Sequence, residues 1–334
     1  MNFCILPAGA WGTAMALHLV KKNHTVTLVP RALSEALDIA TSRENKVYLP
    51  GFTLPQDLQI ASELKPALME AEVIIIACPS KFLRAVCGEI RAELSGAHEI
   101  KAILTLCKGL EDETNLLPVQ VMQEELPGYV HGVLSGPTFA SQVAGGQVSA
   151  IVLATDGSEA INALLQEEIS NDFLRVYASS DTIGVELGGC LKNVYAVATG
   201  ICDGLGLRDN SRAALLTRAL NEMVKVGLAL GGQKETFFGL SGLGDLVLTC
   251  NGKESRNRTF GEAFAQGVSI EELLVERKMT VEGYRAAKCF HEICEQEGID
   301  APILEQIYQI LYEGQAVTDA IAALMGRSLK REGV

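Results

Sequence analysis

In the first half of the chain, short apolar runs alternate with amphipathic stretches. The runs at 2–6, 25–29, 73–77, 101–106, 130–134, 149–154 and 173–177 are short and β-rich, as buried strands are. Between them, 11–22, 80–94 and 158–169 carry helical spacing. Strand and helix in alternation predict a mainly parallel sheet with helices on both faces. Residues 45–57 contain two prolines and a glycine and read as a long ordered loop. After about residue 180 the strand signal stops. The segments 184–203, 210–230, 259–266, 269–276, 282–297, 302–313 and 317–325 read as helices, punctuated by glycines at 200, 204, 206, 231 and 232. The expected organisation is a Rossmann-type α/β domain over 1–183 and an all-helical domain over 184–334, with a site in the cleft between them.

Composition narrows the function. The 334 residues suffice for two cored domains, and 48% hydrophobic with 21% charged content is globular. A net charge of −13 argues against nucleic acid and anionic membranes as partners, while leaving room for a phosphorylated small molecule held by local cations. Nine scattered cysteines without a Cys-x-x-Cys pair read as reduced, buried thiols rather than disulfides or a metal site. The start lacks a basic leader, and no apolar run reaches the ~18 residues of a membrane span. The expectation is a cytoplasmic protein without membrane insertion.

The opening segment, Phe3 to Ala14, reads as strand, tight turn and helix start. It carries the second and third glycines of a dinucleotide fingerprint, Gly9 and Gly12, with Pro7 in place of the first. Gly9 would let the backbone approach a pyrophosphate at the helix N-terminus, and Gly12 would let that helix pack close to the sheet. Pro7 fixes φ and removes an N–H from the turn. Where an NAD-selective acid is expected after the second strand stands Arg31. It either receives a 2′-phosphate, which favours NADP over NAD, or sits on a solvated helix start.

The five histidines (18, 24, 98, 131 and 291) have no metal-ligand spacing and read as surface or structural. Two lysines stand out: Lys108, after an apolar strand, and Lys192, within an apolar helix. Each could snorkel to water or face a site. The run Lys253 to Arg258 offers phosphate donors in Ser255, Arg256 and Asn257, or is an exposed polar loop. Asp245 closes a glycine-rich run and could cap a helix or orient a lysine.

Taken in order, these motifs resemble the bacterial form of the NAD(P)-dependent glycerol-3-phosphate dehydrogenases. The likeness runs from Ala8–Ala14 through Asn45 with Tyr48–Gly51, Cys78–Ser80, Cys107–Glu111 and Leu134–Ala140. It continues through Gly184–Asn193, Asp203–Leu207 with Asp209–Ala214, Gly242–Leu246, Ser255–Arg258 and Glu282-Gly283. It implies reversible hydride transfer between sn-glycerol 3-phosphate and dihydroxyacetone phosphate, supplying glycerol phosphate for phospholipid synthesis. By position it implies dinucleotide contacts from Ala10, Trp11, Arg31, Lys108, Ala140, Arg256 and Glu282. The substrate would be surrounded by Lys108, Gly136, Thr138, Lys192, Asp245, Ser255, Arg256 and Asn257, with Lys192 the proton acceptor and no metal. A homodimer is implied as well. Ala10 and Thr138 stand where the family more often has serine.

For Lys192 to act as a base near neutrality, its pKa must fall by about 3 units from ~10.4, a bias of roughly 4 kcal/mol. Lys108 and the oxidised nicotinamide would supply part of it, and an apolar cleft the rest. Asp245 opposes that shift and is expected to orient. Two rival readings are a β-hydroxyacid dehydrogenase-like enzyme and a dinucleotide-sensing protein without turnover.

Overall fold

The computed structural model describes residues 1–97, 99–277, 279–329 and 331–332; His98 and the last two residues of the expected helical domain lie outside them. The N-terminal half runs β1 (Asn2–Leu6), α1 (Ala10–Lys21), β2 (Thr25–Leu28), α2 (Leu33–Ser42), β3 (Glu44–Asn45), β4 (Leu49–Thr53), β5 (Gln59–Ile60), α3 (Leu64–Glu70) and β6 (Val73–Ile76). It continues with α4 (Leu83–Glu93), β7 (Ala102–Thr105), α5 (Pro118–Glu125), β8 (His131–Ser135), α6 (Ala140–Ala144), β9 (Ser149–Thr155), α7 (Glu159–Ile169) and β10 (Leu174–Ser179).

Eight strands form one sheet in the order β10-β9-β8-β7-β6-β1-β2-β5. Every pairing is parallel except β8 with β9. Alternate residues of each strand feed two separate cores, as a sheet covered on both faces requires. Phe3, Ile5, Ile75 and Leu104 face α1 and α7, whereas Cys4, Leu6, Ile74 and Ile76 face α3, α4 and α5. The stretch 45–57 adds to the sequence reading: part of it, Asn45 and Leu49–Thr53, belongs to a short antiparallel pair, β3 with β4. Pro50, which cannot donate to a ladder, lies within β4 and masks the strand pattern. Asn45 ties this hairpin down, donating to Ala8 O at 2.8 Å and to Thr13 Oγ1 at 2.9 Å.

Two of the histidines and a lysine close the last turn of α7. Its free carbonyls at Glu167, Glu168 and Ile169 are met by Lys22, His24 and His18. Side chains of this kind satisfy a helix C-terminus. His131 and His291 are likewise held, by Leu126 O and by the Glu305 carboxylate.

From Thr182 the chain is helical: α8 (Thr182–Gly204), α9 (Asp209–Ala229), α10 (Lys234–Phe238), α11 (Asp245–Asn251), α12 (Arg256–Ala265), α13 (Glu282–Glu297), α14 (Pro302–Tyr312) and α15 (Val317–Met325). Helical turns at Leu240–Gly244 and Glu272–Glu276 are π-type. α8 is buried without a break from Gly184 to Ile201, which makes it the axis of this half. α9, α11, α12, α13 and α14 pack around it. Asp181 starts α8, accepting the N–H of Gly184 and, from the start of α10, the N–H of Gln233 and the hydroxyl of Thr236. No helix among the described residues is long and apolar enough to cross a membrane. All nine cysteines are free thiols, and only Cys202 is not buried.

Candidate active site

The sheet runs from β1 to β2 on one side and to β6 on the other, so the strand order reverses at β1. Ligands of open α/β sheets sit beyond the carboxyl ends of the strands at such a point. The turn Pro7–Gly9 lies there, and α1 leaves from it with Gly9 as an extended N-cap residue. No side chain caps this helix, and the N–H groups of Ala10, Trp11 and Gly12 have no partner among the described residues. A Cβ on Gly12 would meet Pro7 O at 2.6 Å and Ala77 Cβ at 3.1 Å, so glycine is needed for the helix to lie against β6. A Cβ on Gly9 would meet only Ala77 O, at 3.7 Å. The protein itself therefore leaves room above Gly9. Unpaired donors, the positive end of a twelve-residue helix and an open floor fit a pyrophosphate. Pro7 has not displaced this arrangement; its carbonyl accepts the Gly9 N–H at 2.8 Å.

The ends of the neighbouring strands supply the rest. Beyond β6, Ser80 binds Glu282 of α13, its Oγ donating at 2.8 Å and its N–H at 3.2 Å. Burial holds Glu282 above the usual carboxylate range, against the opposing pull of these bonds and of Arg256. Beyond β7 comes Lys108. Its Nζ donates to Gly136 O at 3.0 Å, beyond β8, and to Asp245 Oδ2 at 2.6 Å, on α11. Thr138 turns its hydroxyl back to Gly136 O at 3.2 Å, and Ala140 opens α6.

The helical half meets this edge through α8 and α11. Lys192 is 6% exposed, and its ammonium donates to Asp245 Oδ1 at 2.5 Å and to Thr249 Oγ1 at 2.8 Å. Asp245 is wholly buried and shared by both lysines. It opens α11, yet its carboxylate goes to the lysines and not to the helix backbone. It does not cap the helix, and both lysines are bonded to it. Burial is the main cause lowering the Lys192 pKa, to about 8; Asp245 raises it, and the charge of Lys108 lowers it again. The apolar surroundings thus outweigh Lys108, which the sequence reading placed alongside them.

Arg256, Asn257 and Ser255 begin α12. Ser255 is buried and caps that helix, its Oγ accepting the Arg258 N–H at 3.2 Å. Asn257 donates to Asn193 Oδ1 at 2.8 Å and accepts the Gly283 N–H at 2.9 Å. Asn193 in turn donates to Lys108 O at 3.0 Å, so one chain of bonds joins α12, α8 and the end of β7. Arg256 is exposed, and its side chain makes no hydrogen bond or ion pair to the described residues. Arg31 lies apart from all of these, beyond β2, paired with Glu35 at 3.1 Å and with the Tyr48 hydroxyl.

The structure therefore gathers Lys108, Gly136, Lys192 and Asp245 into one polar knot, with Thr138 on Gly136. Arg256, Asn257 and Glu282 border it, and Gly9 to Gly12 lie at the switch point on the same sheet edge. Sequence reasoning assigned no role to Thr249, Asn193 or Ser80. Thr249 carried a usable signal: it lies four residues after Asp245, on the same face of one helix.

Comparison with known proteins places the whole chain in one family. The signature described as NAD-dependent glycerol-3-phosphate dehydrogenase N-terminus matches residues 2–161, and the corresponding C-terminus signature matches residues 181–322. A glycerol-3-phosphate dehydrogenase [NAD(P)+] of a Janthinobacterium species is 42% identical over 336 residues, covering 99% of each chain. The enzyme of that name from Nitrosomonas eutropha is 43% identical over 328 residues, covering 98% of each. The crystal structure of glycerol-3-phosphate dehydrogenase from Coxiella burnetii superposes with a TM-score of 0.91 at 36% identity, over 98% of this chain and 99% of that one.

Proposed function

The chain belongs to the NAD-dependent glycerol-3-phosphate dehydrogenase family, and on that premise we propose how its own residues carry the reaction. It is an NAD(P)-dependent oxidoreductase that interconverts sn-glycerol 3-phosphate and dihydroxyacetone phosphate. The nicotinamide cofactor, when bound, accepts or returns the hydride at C2 of the substrate. The supporting observation is the buried knot in which one carboxylate, Asp245, holds the ammonium groups of Lys108 and Lys192.

Lys192 is the group that moves the proton of the C2 hydroxyl. With a pKa of about 8 it is mostly charged near neutrality and can donate to the carbonyl oxygen of dihydroxyacetone phosphate. Above that pH it is mostly neutral and can take the hydroxyl proton of glycerol phosphate. Asp245 and Thr249 fix the direction of its Nζ, leaving one of its three donors for substrate. Lys108 keeps a second positive charge beside the same carboxylate, where the carbonyl oxygen gathers charge as hydride arrives.

Arg256 carries the phosphate, because its guanidinium is exposed and uncommitted while its neighbours Ser255 and Asn257 are already bonded. Ser255 and Asn257 set the start of α12 so that Arg256 faces the cleft; Gly136 and Thr138 line the substrate on the opposite side. Gly9, Ala10, Trp11 and Gly12 would hold the dinucleotide, with Arg31 at its adenosine end and Lys108, Ala140, Arg256 and Glu282 at the other. Residues 1–183 then form the dinucleotide domain and 184–334 the substrate domain. The remaining proposals are a homodimer in the cytoplasm and a role in supplying glycerol phosphate to phospholipid synthesis.

The test is loss of the reduced-nicotinamide absorbance with dihydroxyacetone phosphate. Wild-type protein should turn over, and Lys192→Ala should lose kcat with KM little changed. Full activity in folded Lys192→Ala would remove Lys192 from this role.

A further inference from the structure

Arg31 does not wait free for a cofactor. Its Nη2 donates to Glu35 Oε1 at 3.1 Å, and its own N–H donates to Glu35 Oε2 at 3.3 Å. Nη2 also donates to the Tyr48 hydroxyl, and the guanidinium lies 5.4 Å from the centre of the Tyr48 ring. Tyr48 belongs to the hairpin that Asn45 fastens to Ala8 and Thr13, so Arg31 is linked to the turn at Gly9 through two short steps. The Arg31 side chain is nevertheless 55% exposed, and Glu35 is partly so, on the first turn of α2.

We propose that Glu35 sets the cofactor preference of this chain, acting as a built-in carboxylate that competes with the 2′-phosphate of NADP for Arg31. The proposal rests on the dinucleotide reading given above. The 2′ position of the adenosine ribose sits at the end of the second strand in this fold, and Arg31 follows β2 by three residues. A 2′-hydroxyl leaves the Arg31–Glu35 pair standing and finds a carboxylate acceptor beside it. A 2′-phosphate gains Arg31 only alongside a like charge, or by displacing Glu35. The two effects offset each other, and the chain uses both cofactors. Tyr48 keeps Arg31 in place in either case, through its ring and hydroxyl, and so positions without selecting.

Trp11 is the only tryptophan and stands in the first turn of α1, so its fluorescence reports occupancy of the turn. The full chain and its Glu35→Gln variant are titrated with NADP+, NAD+, adenosine 2′,5′-bisphosphate and adenosine 5′-monophosphate. Glutamine can still accept from Arg31 but carries no charge. Its expected effect is a roughly three- to tenfold lower Kd for the two 2′-phosphorylated ligands, the scale of one exposed like-charge contact removed. NAD+ and the monophosphate should move less than about twofold on the same scale, and the gain should shrink as salt is added. In an Arg31→Gln background the substitution at Glu35 should no longer separate the two ligand classes. Equal shifts for all four ligands, or none for the bisphosphate, overturn the role of Glu35. If folded wild-type protein binds neither cofactor, the dinucleotide reading itself fails and this inference falls with it.

Discussion

Asp245→Asn isolates the electrostatics of the site. Asparagine has nearly the same shape, but it removes the negative charge that both buried lysines share at 2.5 and 2.6 Å. It also turns one acceptor oxygen into a donor facing an ammonium. In the wild-type site Asp245 raises the Lys192 pKa, while burial and Lys108 lower it to about 8. Without Asp245 only the lowering influences remain. A unit charge about 4 Å away is worth about 4 kcal/mol at an effective dielectric of about 20, or about 3 pKa units. Water entry and side-chain movement reduce this, so the expected fall is about 1–3 units. Lys192 would then be between half and almost wholly neutral at about pH 7. Reduction of dihydroxyacetone phosphate, which needs the charged form, should drop by about twofold for a one-unit fall and by about ninetyfold for a three-unit fall at that pH, and recover in acid. The assay is the pH dependence of kcat for reduction from about pH 5.5 to 9.5, with thermal denaturation to verify folding. A reductive profile that keeps its wild-type midpoint, or moves to higher pH, would refute the reasoning.

Four further outcomes follow from the same contacts. Arg256→Ala should raise KM for dihydroxyacetone phosphate by about ten- to a hundredfold with a smaller change in kcat, since a charge-assisted phosphate contact is lost; steady-state kinetics checks this. Thr249→Val keeps the shape beside Lys192 but removes the hydroxyl that accepts its proton at 2.8 Å; kcat should fall and the wild-type pH midpoint should move down, because one bond to the charged form is gone. Gly12→Ala should destabilise the fold by roughly 1–3 kcal/mol through overpacking against Pro7 O and Ala77, read as a lower urea midpoint. Glu186 is buried on α8, accepts the Val119 N–H at 2.8 Å, and burial pushes its carboxyl up to about 8. A folded-state value raised above 4.5 means stability present at low pH and lost as pH rises through about 8. Glu186→Gln, neutral at every pH, should therefore raise Tm more at about pH 8.5 than at pH 5, as differential scanning calorimetry at both would show.

Where the sequence was legible, the reason is local. β1 and α1 announce themselves through an apolar strand, a glycine turn and a helical stripe within twenty residues. α8 is apolar throughout because it is buried throughout, and α13 to α15 keep a clear 3.6-residue spacing. The β3–β4 hairpin was hidden by Pro50, and α10 and α11 are too short to show a period. At the site, Lys108, Lys192 and Asp245 each stood out alone as chemistry in an apolar or glycine-rich setting. Their union is a tertiary fact: Asp245 lies 53 positions from Lys192 and 137 from Lys108, distances no periodicity spans. Ser255 read as a phosphate donor; its hydroxyl oxygen also caps α12 by accepting the Arg258 N–H, which leaves its O–H free to donate. Arg31 declared its charge, but the partners that temper it, Glu35 and Tyr48, are set by a hairpin the pattern did not disclose.

The central claim is that Lys192 carries the proton, and the two directions of the reaction test it together. Initial rates of glycerol 3-phosphate oxidation and dihydroxyacetone phosphate reduction would be measured on one preparation across the same pH series, with saturating cofactor. Oxidation should rise and reduction should fall with a shared midpoint set by Lys192, near 8 in the free site, and both limbs should disappear in Lys192→Ala. Two profiles that move in the same direction, or limbs that survive intact in the folded variant, would contradict the assignment.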